Sequence, residues 1–217
     1  MVPYHKFNEK KSLERLLADL ESGQNIALIS DAGTPCINDP GLILVRACIE
    51  KKIPFTLIPG PCSPIQALVL SGMDTSRFQY IGFLPKSGTK TLQQALSYQG
   101  TTIVLEGPSR LLGTLQDIHK LDPGRKLAVL REMTKTYEEC LRGTAEELVR
   151  HFGGKDPRGE IVLVIEGGTL PQEELPLEEC IEMLQELHGL TLKEAIKTAA
   201  KLKKIPKRDV YKYIHEC

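Results

Sequence analysis

The feature that most constrains this fold is a pattern met twice within the first 72 residues: an apolar run, a loop dense in Gly and Pro, then an amphipathic run. The first instance reads "NIALIS", "DAGTPCINDPG", "LILVRACIEKK", and the second reads "IPFTLI", "PGPC", "SPIQALVLSG". Short apolar runs bounded by turn formers suit buried strands. The runs that follow them place apolar side chains at helical spacing, as with Leu44, Val45, Cys48 and Ile49. Ser63 is a candidate N-cap, with Pro64 at the first helical position. Strand and helix in short alternation predict βα units on a largely parallel sheet. Ahead of them, Leu13, Leu16, Leu17 and Leu20 make one stripe of a helix over 8–22, closed by Gly23.

Beyond Met73 the rhythm changes. Strands are expected at 77–85, 101–107, 126–133 and 159–167, with an edge-like run at 136–143. Helices are expected at 90–100, 109–120, 144–152, 177–188 and 191–203, a short segment starts at Lys207, and 168–176 reads as a Pro- and Glu-rich linker. This divides the chain into an N-terminal α/β domain, 1–75, and a C-terminal α+β domain with a helical tail, 76–217. Lys+Arg and Asp+Glu both total 28, so no global basic excess points to nucleic acid. No stretch approaches the roughly 18 apolar residues of a membrane span, and "MVPYHKFNEKK" lacks the apolar core of a signal peptide. A soluble cytoplasmic protein with no membrane partner is expected. The six cysteines and five histidines are scattered without metal-ligand spacing, so no metal site is expected.

The two loops carry the functional information. Ligands of open α/β sheets sit at the carboxyl ends of strands. Gly33 and Gly41 permit positive φ, and Asp31 can accept hydrogen bonds from a ligand or from its own turn. Either loop alone could be a plain turn, whereas two on neighbouring strand ends point to a small-molecule cleft. With no GxGxxG, no GxxxxGK[ST] and no GxSxG, the dinucleotide, P-loop and hydrolase readings fall away.

The run from "ALISDAGTPCINDPG" through "IPGPCSPIQALVLSGM" to "FLPKSG" resembles the tetrapyrrole-methylase-like (class III) methyltransferases, and the likeness continues in "LEGPSRL", "REMTK", "GEIVLVIEG" and "TLKEAIKTAAKLKKIPKRDVYKY". It is most similar to the branch that methylates a ribose 2′-hydroxyl of a decoding-centre cytidine in 16S rRNA. The resemblance implies two α/β domains with an S-adenosylmethionine (SAM) cleft between them. It implies that Asp31, Ala32, Gly33, Thr34 and Pro35 surround the cofactor, with Pro59, Gly60 and Ser63 on the adjoining loop and Pro108 and Ser109 from the second domain. Methyl transfer to a hydroxyl needs alignment and a proton acceptor, for which Glu106 and Glu132 are the candidates. Arg131 and Lys135 are candidates for positioning a phosphate, and the basic cluster Lys203, Lys204 and Lys207 for contacting RNA. The implied partners are 16S rRNA in the small ribosomal subunit and a second copy of the chain in a homodimer.

Two departures from the family pattern stand out. The family's "YESPHRL" is "LEGPSRL" here, which puts Ser109 where the family has His. The chain also opens at "PYHKFNE", similar to an interior "SYHxHNE" of the family, so the first domain is expected to be truncated, without the family's N-terminal strand–helix–strand and its glycine loop. The alternatives are a methylase of a small molecule such as a corrinoid precursor, and a non-catalytic remnant. The absent "GGDPxxF" loop counts against the corrinoid reading.

Overall fold

One strand organises the larger part of the molecule. β5 (Ile161–Ile165) is apolar at every position and buried at every position. Successive side chains of a strand point to opposite faces, so β5 feeds two cores. Ile161, Leu163 and Ile165 pack with Leu111, Leu115 and Phe152 on one face. Val162 and Val164 pack with Ile103, Leu130 and Leu68 on the other. A strand covered on both faces reads as a continuous apolar run, which is why "IVLVI" shows no alternation.

The computed structural model describes residues 1–85, 88–154, 157–168, 176–186, 189–203 and 205–216. They divide into two compact units, Met1–Gln66 and Ala67–Cys217. This division falls inside a helix, whereas the change in the rhythm of strands and helices puts the expected boundary at 75/76.

In the second unit, β1 (Phe78–Phe83), β2 (Thr101–Glu106), β3 (Lys126–Arg131), β4 (Glu139–Thr144) and β5 form one sheet in the order β1-β2-β5-β3-β4. Only β1 and β2 are parallel, and they are joined through α4 (Thr89–Ser97), as a parallel pair requires a crossover. The other three pairings are antiparallel. The first face of the sheet is covered by α4, α5 (Pro108–Leu121) and α6 (Ala145–Phe152). α6 starts in a capping box, Thr144 and Glu147 exchanging bonds with each other's backbone N–H. The other face takes up Ala67 and Leu68 of α3 (Ser63–Ser71). Arg142 on β4 donates to the Ser71 carbonyl at 3.1 Å and to the Leu70 carbonyl, satisfying the carbonyls at the end of α3. α7 (Leu177–Glu186), α8 (Leu192–Leu202) and α9 (Lys207–Glu216) enclose a separate apolar cluster around Leu184, Ile196 and Val210.

The first unit departs from expectation. α1 (Glu9–Glu21) and α2 (Leu42–Glu50) form where their apolar stripes predict them, and pack through Leu17, Leu44, Ala47 and Cys48. Residues 25–30 and 53–60, expected as strands of a parallel sheet, carry no ladder. Most of their apolar side chains are open to solvent, Ile29 being 69% exposed and Ile58 84%, while Ile53 packs against the small core of the unit. The physical reason is that parallel strands are stable when both faces are covered and neighbours complete the ladder. In this unit the helices bury their stripes against each other instead.

Truncating Leu163, which is fully buried at the centre of the sheet, tests this hierarchy. Leu163→Ala is expected to lower unfolding free energy by about 2–5 kcal/mol, read as a lower midpoint in urea denaturation with an unchanged slope.

Candidate active site

In the first unit the two Gly/Pro loops meet. The Thr34 hydroxyl donates to the Pro61 carbonyl at 2.8 Å, tying 31–35 to 59–63. The first loop is held in an unusual shape. Gly33, Cys36, Asn38 and Gly41 all have positive φ, from 62° to 139°. At Gly41 a Cβ would fall 2.6 Å from the Cys36 Sγ and 2.7 Å from Leu28, so no side chain fits there. The Gly41 N–H donates to the Glu9 carboxylate at 3.2 Å, linking the start of α2 to the start of α1. The Ser30 hydroxyl donates to the Gly33 carbonyl at 2.7 Å. Burial, reinforced by the nearby carboxylates of Glu9 and Asp39, holds the Cys36 thiol above its ordinary range, so it is no ready nucleophile.

What this shape leaves over is a set of hydrogen-bond donors. The N–H groups of Asp31, Ala32, Gly33 and Thr34 donate to nothing among the described residues. Asp31, Ala32, Gly33, Pro59, Gly60 and Ser63 are exposed, and Thr34 and Pro35 half-buried. Exposed, unpaired amides beside a carboxylate can take up the acceptors of a polar ligand.

In the second unit, register gathers the other candidates at one end of the sheet. Ile161 is opposite Glu106 on β2 and opposite Arg131 on β3. The carboxyl ends of β2 and β3 therefore flank the start of β5. Glu106 is buried, its side chain 1% exposed. It accepts from the Gly107 N–H at 2.7 Å, the Thr114 hydroxyl at 2.7 Å and the Arg110 guanidinium at 2.6 Å. Both its oxygens are engaged, and the effect is to fix the start of α5, where Pro108 and the exposed Ser109 stand.

Glu132 follows β3 with a φ of 50°. Its Oε1 accepts from the Glu160 N–H at 2.8 Å and from the Lys135 ammonium at 2.9 Å, while Oε2 accepts from none of the described residues. Gly159 makes room for it, since a Cβ there would collide with the Glu132 carboxylate. The Glu160 N–H first, then the Lys135 ammonium, hold the Glu132 carboxyl below its ordinary value. Lys135 also bonds Glu160 at 3.1 Å, and these two carboxylates raise its own pKa. Arg131 is paired with Glu139 at 3.1 Å and donates to the Arg158 carbonyl.

The basic cluster lies elsewhere, on the terminal helices. Lys203 caps the end of α8, and Lys207 opens α9 with its ammonium 5.5 Å from the centre of the Tyr211 ring. Lys204 lies outside the described residues. Arg110, Thr114 and Glu160 were not foreseen from sequence. Of these, only Arg110, four residues after Glu106 and so one helical turn away, carried a signal. Nothing in the sequence announced positive φ at Cys36. Among the described residues no cluster of His, Cys, Asp or Glu could hold a metal ion, and no helix is long and apolar enough to cross a membrane.

The model of the family Tetrapyrrole (Corrin/Porphyrin) Methylases matches residues 3–149. The solved uroporphyrin-III C-methyl transferase of Thermus thermophilus, complexed with S-adenyl homocysteine, shares the fold at a TM-score of 0.50 and 16% identity, over 75% of each chain. Closer in sequence is a protein of Halalkalibacterium halodurans named Ribosomal RNA small subunit methyltransferase I, 40% identical over all of this chain and 78% of its own length. A protein of the same name in a Synechocystis species is 42% identical over 97% of this chain and 78% of its own length. The chain belongs to the ribosomal RNA small subunit methyltransferase I family.

The depressed Glu132 carboxyl gives a pH test. A lowered folded pKa contributes stability above the unfolded value and loses it as pH falls through the folded value. The stability difference between the wild type and Glu132→Gln should be constant above pH 4.5, the group's ordinary value, and shrink below it. Urea titrations across that range read it directly.

Proposed function

We propose that the chain is an S-adenosylmethionine-dependent methyltransferase that methylates the 2′-hydroxyl of a cytidine in 16S rRNA of the small ribosomal subunit, acting in the cytoplasm as a homodimer. The observation that carries this reading is the likeness to the named relatives, 40% identical over all of this chain and 42% over 97% of it. No such likeness favours a corrinoid substrate, where the match to a solved tetrapyrrole enzyme is one of fold.

The residues present fit the cofactor. Four backbone N–H groups without partners, from Asp31 to Thr34, suit its carboxylate and adenine acceptors, and the Asp31 carboxylate suits its hydroxyls or ammonium. Asp31, Ala32, Gly33, Thr34, Pro35, Pro59, Gly60 and Ser63 would hold it in the first unit. When bound it supplies a sulfonium methyl group open to displacement by a hydroxyl oxygen. The protein's part is then to align that hydroxyl and accept its proton.

Of the two candidate carboxylates, Glu132 keeps an oxygen without a donor and suits the acceptor role. Glu106, with both oxygens engaged, suits a positioning role at the start of α5. Arg131 and Lys135, each already paired with carboxylates, suit keeping Glu132 ionised more than gripping a phosphate. Lys203, Lys204 and Lys207 would meet the RNA backbone.

Titration calorimetry with S-adenosylmethionine is the first check. Asp31→Ala is expected to weaken binding about tenfold, the loss of one hydrogen bond to a charged group. Unchanged affinity would remove this loop from the site. On small subunits, transfer of a labelled methyl should leave one alkali-resistant linkage in 16S rRNA, because a methylated 2′-oxygen cannot attack the neighbouring phosphate. Replacing Lys203, Lys204 and Lys207 with Glu should lower that transfer without changing cofactor affinity, and full transfer would return these lysines to a solvated helix face.

A further inference from the structure

The second unit holds a cavity of about 890 Å³, separate from every residue assigned above to cofactor or proton transfer. Its walls come from β1, α4 and α8, and their chemistry is uneven. The Arg77 guanidinium is 5.2 Å from the centre of the Tyr98 ring, a flat cation on a flat ring at the cavity's side. On α8, Lys197 and Lys201, one helical turn apart, are exposed along the wall. None of these three cations is paired with a carboxylate among the described residues. Glu194 is the one carboxylate on the wall, and it is committed to the N-cap of α8, accepting from the Thr191 N–H at 3.0 Å and hydroxyl at 2.6 Å. Gln94 and Gln99 add amides that can both donate and accept.

From this we propose that the cavity is a docking site for single-stranded RNA, taking one unstacked base beside Tyr98 and Arg77 and its flanking phosphates on Lys197 and Lys201. The volume lies in the range of small-ligand pockets, roughly 300–1,000 Å³, and accommodates a nucleotide. An aromatic ring next to a guanidinium is the stacking platform that a splayed base uses. Three unpaired cations against one committed carboxylate favour a polyanion over a neutral ligand. The inference rests on the RNA-methyltransferase reading, and assigns to that substrate a second contact away from the methyl-transfer residues.

The test is fluorescence anisotropy of the full chain with a fluorescein-labelled, unstructured RNA of about ten nucleotides, at several salt concentrations from about 50 mM upward. K197E/K201E is expected to weaken binding roughly tenfold or more at the lowest salt. It should also flatten the plot of log affinity against log salt by about 1.4, the share of two phosphates on a single strand. Tyr98→Ala should cost about fivefold or more, while Tyr98→Phe, which keeps the ring, binds as the wild type does. All variants should retain cofactor affinity, which separates a local loss from misfolding. Equal RNA binding by wild type, K197E/K201E and Tyr98→Ala overturns the cavity assignment and leaves the methyltransferase reading intact. Displacement of the RNA by an equal concentration of cytidine monophosphate also overturns it, since a mononucleotide would then suffice. A wild type that binds RNA through these residues yet transfers no methyl group to small subunits overturns the functional reading and leaves the cavity as an RNA site.

Discussion

The double burial of β5 is the constraint on which the rest of the second unit depends. Its five residues feed two cores at once and pair antiparallel with β2 on one side and β3 on the other. A slip of one residue would exchange Ile161, Leu163 and Ile165 with Val162 and Val164 across the sheet, misfitting both cores together. The same register decides where chemistry can occur. Because Ile161 is opposite both Glu106 and Arg131, the packing of "IVLVI" brings two distant stretches of sequence to one end of the sheet. Site geometry and core geometry are thus set by one strand.

Charges follow a division of labour. At the sheet end every candidate group is already paired: Glu106 with Arg110, Arg131 with Glu139, and Lys135 with both Glu132 and Glu160. Leaving one of these ions alone at a half-buried position would be costly, and pairing fixes each side chain in one orientation. Such groups position their neighbours and are poorly placed to neutralise incoming phosphates. Cations without a carboxylate partner among the described residues do line the cavity beside α8. A protein with formal net charge of zero can still present local positive potential to a polyanion where its cations lack carboxylate neighbours.

Much of this was legible in the sequence, and the misses have physical causes. All five strands of the second unit and the helices around them stand within a few residues of expectation, because each buries a face whose period shows in the apolar pattern. The strands expected at 25–30 and 53–60 carried an equally good local pattern and do not form. Apolarity tells what a segment would bury, but a ladder also needs a neighbour, which is a property of the whole unit. At the site, the residue types in the two Gly/Pro loops were readable, as was the tie between turn formers and backbone shape. The partners of Glu106 and Glu132 were not, since hydrogen bonds such as that from the Glu160 N–H depend on contacts 28 residues apart along the chain.

The loop at 30–41 shows why such a shape persists. Left-handed backbone at Cys36, which lacks glycine's freedom, costs on the order of 1–2 kcal/mol. Asn38 adds a smaller cost, its short amide tolerating that region. Against this stand the bonds from Thr34 to Pro61, Ser30 to Gly33, and Gly41 to Glu9, each contributing about 1 kcal/mol. The balance is close to neutral, in a unit whose buried core is only Leu17, Leu44, Ala47 and Cys48. A plain connection between the same ends would satisfy its amides and need no positive φ outside glycine. What this one gains is a row of N–H groups pointing at no protein acceptor, from Asp31 to Thr34. Strain that yields unpaired donors makes physical sense where a ligand supplies the missing acceptors. The loop's shape thus suits a ligand that brings acceptors of its own.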